Sequence, residues 1–170
     1  EITQMITKFN ELAVRDGFTK LYNKTFINNE LESLVQAARG GSPAGEAAVV
    51  LLDIDGFKQI NDTYGHIAGD DALQYSQFLT LFDGWVGRFG GDEFVLCAPK
   101  GLSEGDLERL FAEIDAIERH AFQAEAGSFS LAASCGVCFV RPDDTVRSLL
   151  DRADVAMYRA KESGRRWVER

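Results

Sequence analysis

Apolar residues in the first fourteen positions recur at the three- and four-residue spacing of a helix: Ile2, Met5, Ile6, Phe9, Leu12 and Ala13 fall on one face, predicting an amphipathic helix over residues 1–14. An Arg15-Asp16-Gly17 break follows, and Asn23 is placed to cap a second helix to about Ala38, with Phe26, Leu31, Leu34 and Val35 inward. Gly40, Gly41, Ser42, Pro43 and Gly45 read as a loop. The run Ala47-Ala48-Val49-Val50-Leu51-Leu52-Asp53 is continuously apolar and ends on a carboxylate, as expected of a central strand buried on both faces. A polar stretch over 55–71 leads into a helix predicted over about 70–81, carrying Leu73, Phe78 and Leu81. Residues 85–89 and 94–97 flank Gly90-Gly91-Asp92-Glu93 and read as a β-hairpin, the Gly-Gly pair supplying the positive φ of a tight turn. Ser103 with Asp106 resembles a capping box opening a helix to about Phe122. Residues 127–140 read as one strand, and a last helix runs from Val146 to Lys161, capped by Thr145 and stopped near Gly164.

This order predicts an α/β (α+β) fold, a ferredoxin-like sheet covered by helices. At 170 residues the chain is one domain with a helical extension, divided at residues 1–14 and 15–170. Hydrophobic residues at 45% and charged residues at 26% exclude a disordered tail or a membrane channel. Eighteen Lys and Arg against twenty-seven Asp and Glu give a net charge of -9, which argues against binding nucleic acid or an anionic membrane. A phosphorylated small molecule stays open, because a few local cations hold it. The longest apolar stretch falls far short of the roughly 20 residues of a spanning helix. Cys97, Cys135 and Cys138 lack a disulfide spacing, so a reducing, cytoplasmic compartment is expected. The start at Glu1 instead of Met gives the expectation of a piece of a longer protein, whose other parts can include a membrane anchor.

Two groups of acids draw attention. Asp53 and Asp55 close the central strand, and Asp92 and Glu93 sit at the predicted hairpin tip. If the hairpin pairs beside that strand, these carboxylates converge, and such a cluster calls for a hard cation, Mg²⁺ or Mn²⁺. The plainer alternative is that acids at strand ends and turns are simply solvated. Lys58, Lys161 and Arg165 are candidate phosphate contacts, although each alone reads equally as a solvated surface charge. Asn61 and Asp70 can read a guanine edge, the carboxylate accepting from its ring N–H and amine; turn and helix-cap roles are the local alternative. Other motifs fail. There is no Gly-x4-Gly-Lys-Ser/Thr or Gly-x-Gly-x-x-Gly loop. Cys135-Gly136-Val137-Cys138 lies in a predicted strand, where positions three apart face opposite sides, so it reads as core packing. His66 and His120 make no zinc pattern, and Asp53-Ile54-Asp55-Gly56 lacks the remainder of a calcium loop.

Taken together, the motifs resemble a family. Arg88-Phe89-Gly90-Gly91-Asp92-Glu93-Phe94 resembles the signature of GGDEF domains, the diguanylate cyclases. The segments 53–62, 65–70 and 16–24, and Tyr158-Arg159-Ala160-Lys161 with Gly164-Arg165, resemble four further motifs of that family, so the likeness spans about residues 10–166. The resemblance implies a palm-type nucleotide cyclase fold and condensation of two GTP into cyclic di-GMP with loss of two pyrophosphates, by a homodimer in which each copy holds one GTP. It implies that Asp53, the carbonyl of Ile54, Asp92 and Glu93 hold two Mg²⁺ or Mn²⁺ ions, and that Asp92 is the candidate base for the ribose 3′-hydroxyl. It assigns the terminal phosphates to Lys58, Lys161 and Arg165 with backbone N–H groups near Gly56 and Phe57, and guanine to Asn61 and Asp70. An upstream sensory domain is expected in the full-length protein. The alternative is a catalytically inactive GGDEF domain serving as a GTP-binding or protein-interaction regulatory module. Three departures stand out: Phe18-Thr19-Lys20-Leu21 replaces the usual Leu-Thr-Gly-Leu, the stretch over 70–90 is short, and Leu81 and Gly84 stand where the family's Arg-x-x-Asp product-inhibition motif is expected.

Overall fold

Strand β1 (Ala48–Ile54) lies at the centre of the molecule because nearly every side chain along it is apolar and buried. It pairs antiparallel on one side with β3 (Glu93–Ala98) and on the other with β6 (Ala133–Phe139). β2 (Trp85–Gly90) and β7 (Arg166–Val168) are the edges, giving the order β2-β3-β1-β6-β7, with only the β6–β7 pair parallel. The computed structural model describes residues 1–41, 47–74 and 84–170.

Alternation along β1 divides the core in two. Val50, Leu52 and Ile54 pack with Phe57, Leu73, Leu107, Leu110 and Ile114, beneath α3 (Phe57–Tyr64), α4 (His66–Gln74) and α5 (Glu104–Glu118). Val49 and Leu51 pack with Ile27, Leu31, Val35, Leu149 and Ala153 from α2 (Lys24–Arg39) and α6 (Val146–Glu162). Cys135 and Cys138 belong one to each core, as opposite-facing strand positions must. Burial pushes both thiols up to about 12, so neither is a thiolate at neutral pH.

Gly136 fixes how close α6 comes to the sheet. A Cβ there would stand 2.3 Å from the backbone nitrogen of Met157, so only glycine admits this approach. The caps are as expected: the Asn23 side chain accepts from the Phe26 N–H, while Ser103 and Thr145 each open a reciprocal capping box. α1 (Ile2–Val14) meets the domain where the Asn23 side-chain amide donates to the Ala13 carbonyl at 2.7 Å; its Ile2, Met5 and Phe9 are more than two-thirds exposed.

Several boundaries differ from the pattern reading. The polar stretch over 55–71 holds α3 and the first part of α4, which starts at His66, four residues before the helix expected over 70–81; the two present only Phe57, Gly69, Ala72 and Leu73 as fully buried residues. The fifth helix ends at Glu118, and Phe122 instead begins β4 (Phe122–Ala124), paired with β5 (Gly127–Phe129) in a small separate sheet. The single strand expected over 127–140 is thus two, β5 and β6. On α2 the innermost residues are Ile27, Leu31, Val35 and Ala38, with Phe26 and Leu34 half-buried. Of the hairpin glycines only Gly91 has positive φ, at 52°. Ser42, Pro43 and Gly45 of the expected loop, and Phe78 and Leu81 of the expected helix, lie outside the described residues.

Candidate active site

The β1–β3 register sets Asp53 directly opposite Glu93, and the β1–β6 register sets it opposite Ser134. Opposed residues of antiparallel strands point to the same face, here the face that carries α6. The hairpin tip is tied to the strand end by the Ile54 N–H, which donates to the Asp92 carbonyl at 3.1 Å. Arg88 closes the turn from below: its Nε and one terminal nitrogen donate to the Gly91 carbonyl at 2.9 and 2.7 Å. Its other terminal nitrogen meets the Asp16 carboxylate at 3.3 Å. Sequence reasoning missed this link between the entry segment and the hairpin; the cation alternating with Val86 and Gly90 in an otherwise apolar strand is the signal for it.

Three acids and one cation converge here. Lys161 Nζ donates to Asp53 Oδ2 at 2.6 Å, while Asp53 Oδ1 is buried with no hydrogen-bond partner. Burial first, and then the charge of Asp53, raises the Asp92 carboxyl above the ordinary carboxylate range. Burial likewise raises Glu93, followed by Asp53, Asp154 and Asp92. The hydrogen bond to Asp53 raises the Lys161 ammonium, which also feels Asp55 and Asp92. Among the described residues no group of three or more His, Cys, Asp or Glu stands ready-arranged as a metal cage. The orphaned, buried Asp53 oxygen and the protons favoured on its neighbours are nevertheless the marks of a site short of positive charge, and hard carboxylate oxygens suit Mg²⁺ or Mn²⁺.

The other expected site residues lie on the elements that follow β1 and α6 in the chain. Gly56, at φ 63°, turns the chain from β1 into α3, whose first residue Phe57 is buried while Lys58 is exposed. Asn61 Oδ1 is buried without a partner under Gly69, where a Cβ would come within 1.9 Å of it; Asp70 follows half-buried on α4. Arg165, at φ 72°, points its guanidinium at Glu118 on α5, 3.2 Å away, and is the one candidate the structure pairs outside the acid cluster. Asp55 also stands apart from the cluster's centre, because the buried Ser134 hydroxyl donates to its carboxylate.

The family model for the GGDEF domain of diguanylate cyclases matches residues 13–166. The chain belongs to the GGDEF family. It is 36% identical over 165 residues to the diguanylate cyclase DgcP of Pseudomonas aeruginosa, covering 92% of this chain and 24% of that protein. To the response regulator PleD of Caulobacter vibrioides it is 37% identical over 168 residues, covering 93% of this chain and 36% of that one. The GGDEF domain of DgcB from Caulobacter crescentus, solved in complex with c-di-GMP, superposes with a TM-score of 0.81 at 26% identity over 92% of this chain and 93% of that one. This chain therefore spans a quarter to about a third of the two curated relatives. No helix among the described residues is long and apolar enough to cross a membrane.

Proposed function

We propose that this GGDEF domain is an active diguanylate cyclase module that joins two GTP into cyclic di-GMP and releases two pyrophosphates. The observation that carries the reading is the convergence of Asp53, Asp92 and Glu93 at the end of the central strand, with an unpartnered buried oxygen on Asp53 and Lys161 beside it.

In this reading Asp53, the Ile54 carbonyl, Asp92 and Glu93 hold two Mg²⁺ or Mn²⁺ ions, which when bound neutralise the reacting phosphates and make the ribose 3′-oxygen a better nucleophile. Asp92 takes the 3′-hydroxyl proton. The freed 3′-oxygen attacks the α-phosphorus of the facing GTP, the bond to the β-phosphate oxygen breaks, and pyrophosphate leaves. A second, equivalent step closes the ring. Lys161, Lys58 and Arg165 meet the terminal phosphates, together with N–H groups at Gly56 and Phe57. For this Lys161 exchanges Asp53, and Arg165 exchanges Glu118, for phosphate oxygens. Asn61 and Asp70 read guanine, the buried amide oxygen and the carboxylate both accepting from base N–H groups.

Each copy holds one GTP, so two copies must face each other, and in this reading α1, with its exposed apolar residues, is the linker helix of residues 1–14 from an upstream sensory domain. The test is to incubate the purified domain with GTP and Mg²⁺ and identify products by mass. Cyclic di-GMP with two pyrophosphates per molecule is expected. Tight GTP binding with no product would make this domain a regulatory GTP-binding module instead.

A further inference from the structure

Ser134 is one of three buried polar or charged residues among those described, 1% exposed, in a strand that is otherwise apolar or glycine along its buried length. A hydroxyl in such a place must find an acceptor or lose the hydrogen bonds it had in water. It donates to Asp55, its oxygen standing 2.9 Å from Oδ1 and 3.1 Å from Oδ2, so one proton is shared between both carboxylate oxygens. The Asp55 N–H donates to the Ala132 carbonyl at 2.7 Å. Backbone and side chain of Asp55 are therefore both fastened to the segment entering β6, immediately before Gly56 turns the chain into α3.

The consequence lies in what Asp55 is kept from doing. Asp55 follows the last residue of β1, and its contact with Ser134, the residue opposite Asp53 in the β1–β6 register, keeps its carboxylate on the side of the strand end that faces Lys161. The charge of Asp55 already acts on Lys161, although the ammonium bonds Asp53. A freely rotating Asp55 would offer Lys161 a second carboxylate and would loosen the turn at Gly56 and Phe57.

We infer that Ser134 is a positioning residue for the strand-end site: by pinning Asp55 it separates the two carboxylates, leaving Asp53 to the hairpin acids and Lys161, and Asp55 to hold the Gly56–Phe57 turn. The inference rests on the proposed function for its kinetic consequence, because the turn and Lys161 are the groups assigned there to the terminal phosphates. Its structural core stands without nucleotide.

Two readouts test it. Hydrogen exchange measured by mass spectrometry over residues 54–60 reads the pinning directly in the nucleotide-free domain. Ser134→Ala is expected to speed exchange in that segment by about tenfold, leaving β1 and β3 as in the wild type. In steady-state assays the same variant is expected to raise KM for GTP about 5- to 20-fold with kcat changed less than about 3-fold, since ground-state phosphate contacts are what it disturbs. In an Asp55→Asn background, which removes the competing charge, Ser134→Ala is expected to add less than about 2-fold to KM. If Ser134→Ala fails to fold, Asp55→Ala replaces it with the same expected exchange signature. Wild-type exchange over 54–60, or a lowered melting temperature with unchanged KM and exchange, overturns the inference. A wild-type domain that binds no GTP contradicts the proposed function, and the exchange measurement then decides on Ser134 alone.

Discussion

Asn61 separates recognition from chemistry. Its buried amide oxygen has no partner in the protein and sits about 2 Å from where a side chain on residue 69 would begin, so glycine there leaves room for an acceptor that has no donor within the protein. Asn61→Ala is expected to reduce discrimination between GTP and ATP by about 1–3 kcal/mol while leaving the fold unchanged, read by competition binding. Unaltered discrimination would remove Asn61 from base recognition. Lys161 is the residue-scale surprise: chosen from sequence as a phosphate contact, it rests on Asp53. The reason is electrostatic, because three carboxylates at one strand end and hairpin tip leave a cation on the neighbouring helix no better partner. The individual acids were legible because Asp53 ends an apolar run and Asp92 sits in a turn. Ser134 was not, since a lone serine in an apolar strand carries no periodic signal, and its partner Asp55 lies 79 positions away.

Elements with strong periodicity or strong caps were legible: α1, α2, α6, the central strand and the hairpin. α3 was not, and α4 only from Asp70 onward, where the expected helix and Leu73 coincide with it, because the two bury so few apolar residues that the stretch reads as polar. β4, β5 and β7, each three residues long, hold too little alternation to stand out. The entry segment between α1 and α2 illustrates the cost of departing from a local rule. Lys20 occupies the position where the family usually has glycine and adopts φ 64°, in the left-handed region that disfavours side chains. Its Nζ donates to the Gly17 carbonyl at 2.9 Å, a compensation at an exposed site. Lys20→Gly is expected to stabilise the domain by about 0.5–1 kcal/mol, the relief of strain exceeding the entropy that glycine adds to the unfolded chain. Chemical denaturation measures it, and a loss of stability would show that the Nζ contact outweighs the strain.

Across the molecule, the end of α6 remote from the acid cluster is anchored by Asp144. It accepts from the Arg141 N–H at 2.8 Å, the Ser148 hydroxyl at 2.8 Å and the Arg152 guanidinium, while Arg152 also reaches Glu169. Burial works to raise the Asp144 carboxyl, but these donors together hold it below its ordinary value. A depressed carboxylate contributes stability that is present in full above its unfolded value, near 3.9, and is lost as pH falls through the folded one. Asp144→Asn is therefore expected to cost about 2–3 kcal/mol at neutral pH, and this difference from wild type is expected to shrink below about pH 4. Denaturation at both pH values checks it, and a pH-independent difference would contradict the ion-pair account.

Regulation follows at the same scale. If, as the family resemblance implies, Leu81 and Gly84 stand in place of the charged pair of the product-inhibition motif, cyclic di-GMP at low micromolar levels is expected not to inhibit noncompetitively. Rates at several GTP concentrations with added product decide it, noncompetitive inhibition being the contrary result.

The central claim is that the acids brought together by β1 and the β2–β3 hairpin carry the reaction. Asp92 is half-exposed at the turn, and the tie from the hairpin tip to the strand end runs through its backbone carbonyl, which accepts from the Ile54 N–H. The decisive measurement is the initial rate of cyclic di-GMP formation by Asp92→Asn beside the wild type at saturating GTP and Mg²⁺, both proteins having the same circular dichroism spectrum. The account predicts a rate lower by about two to four orders of magnitude; a rate within a few-fold of wild type would contradict it.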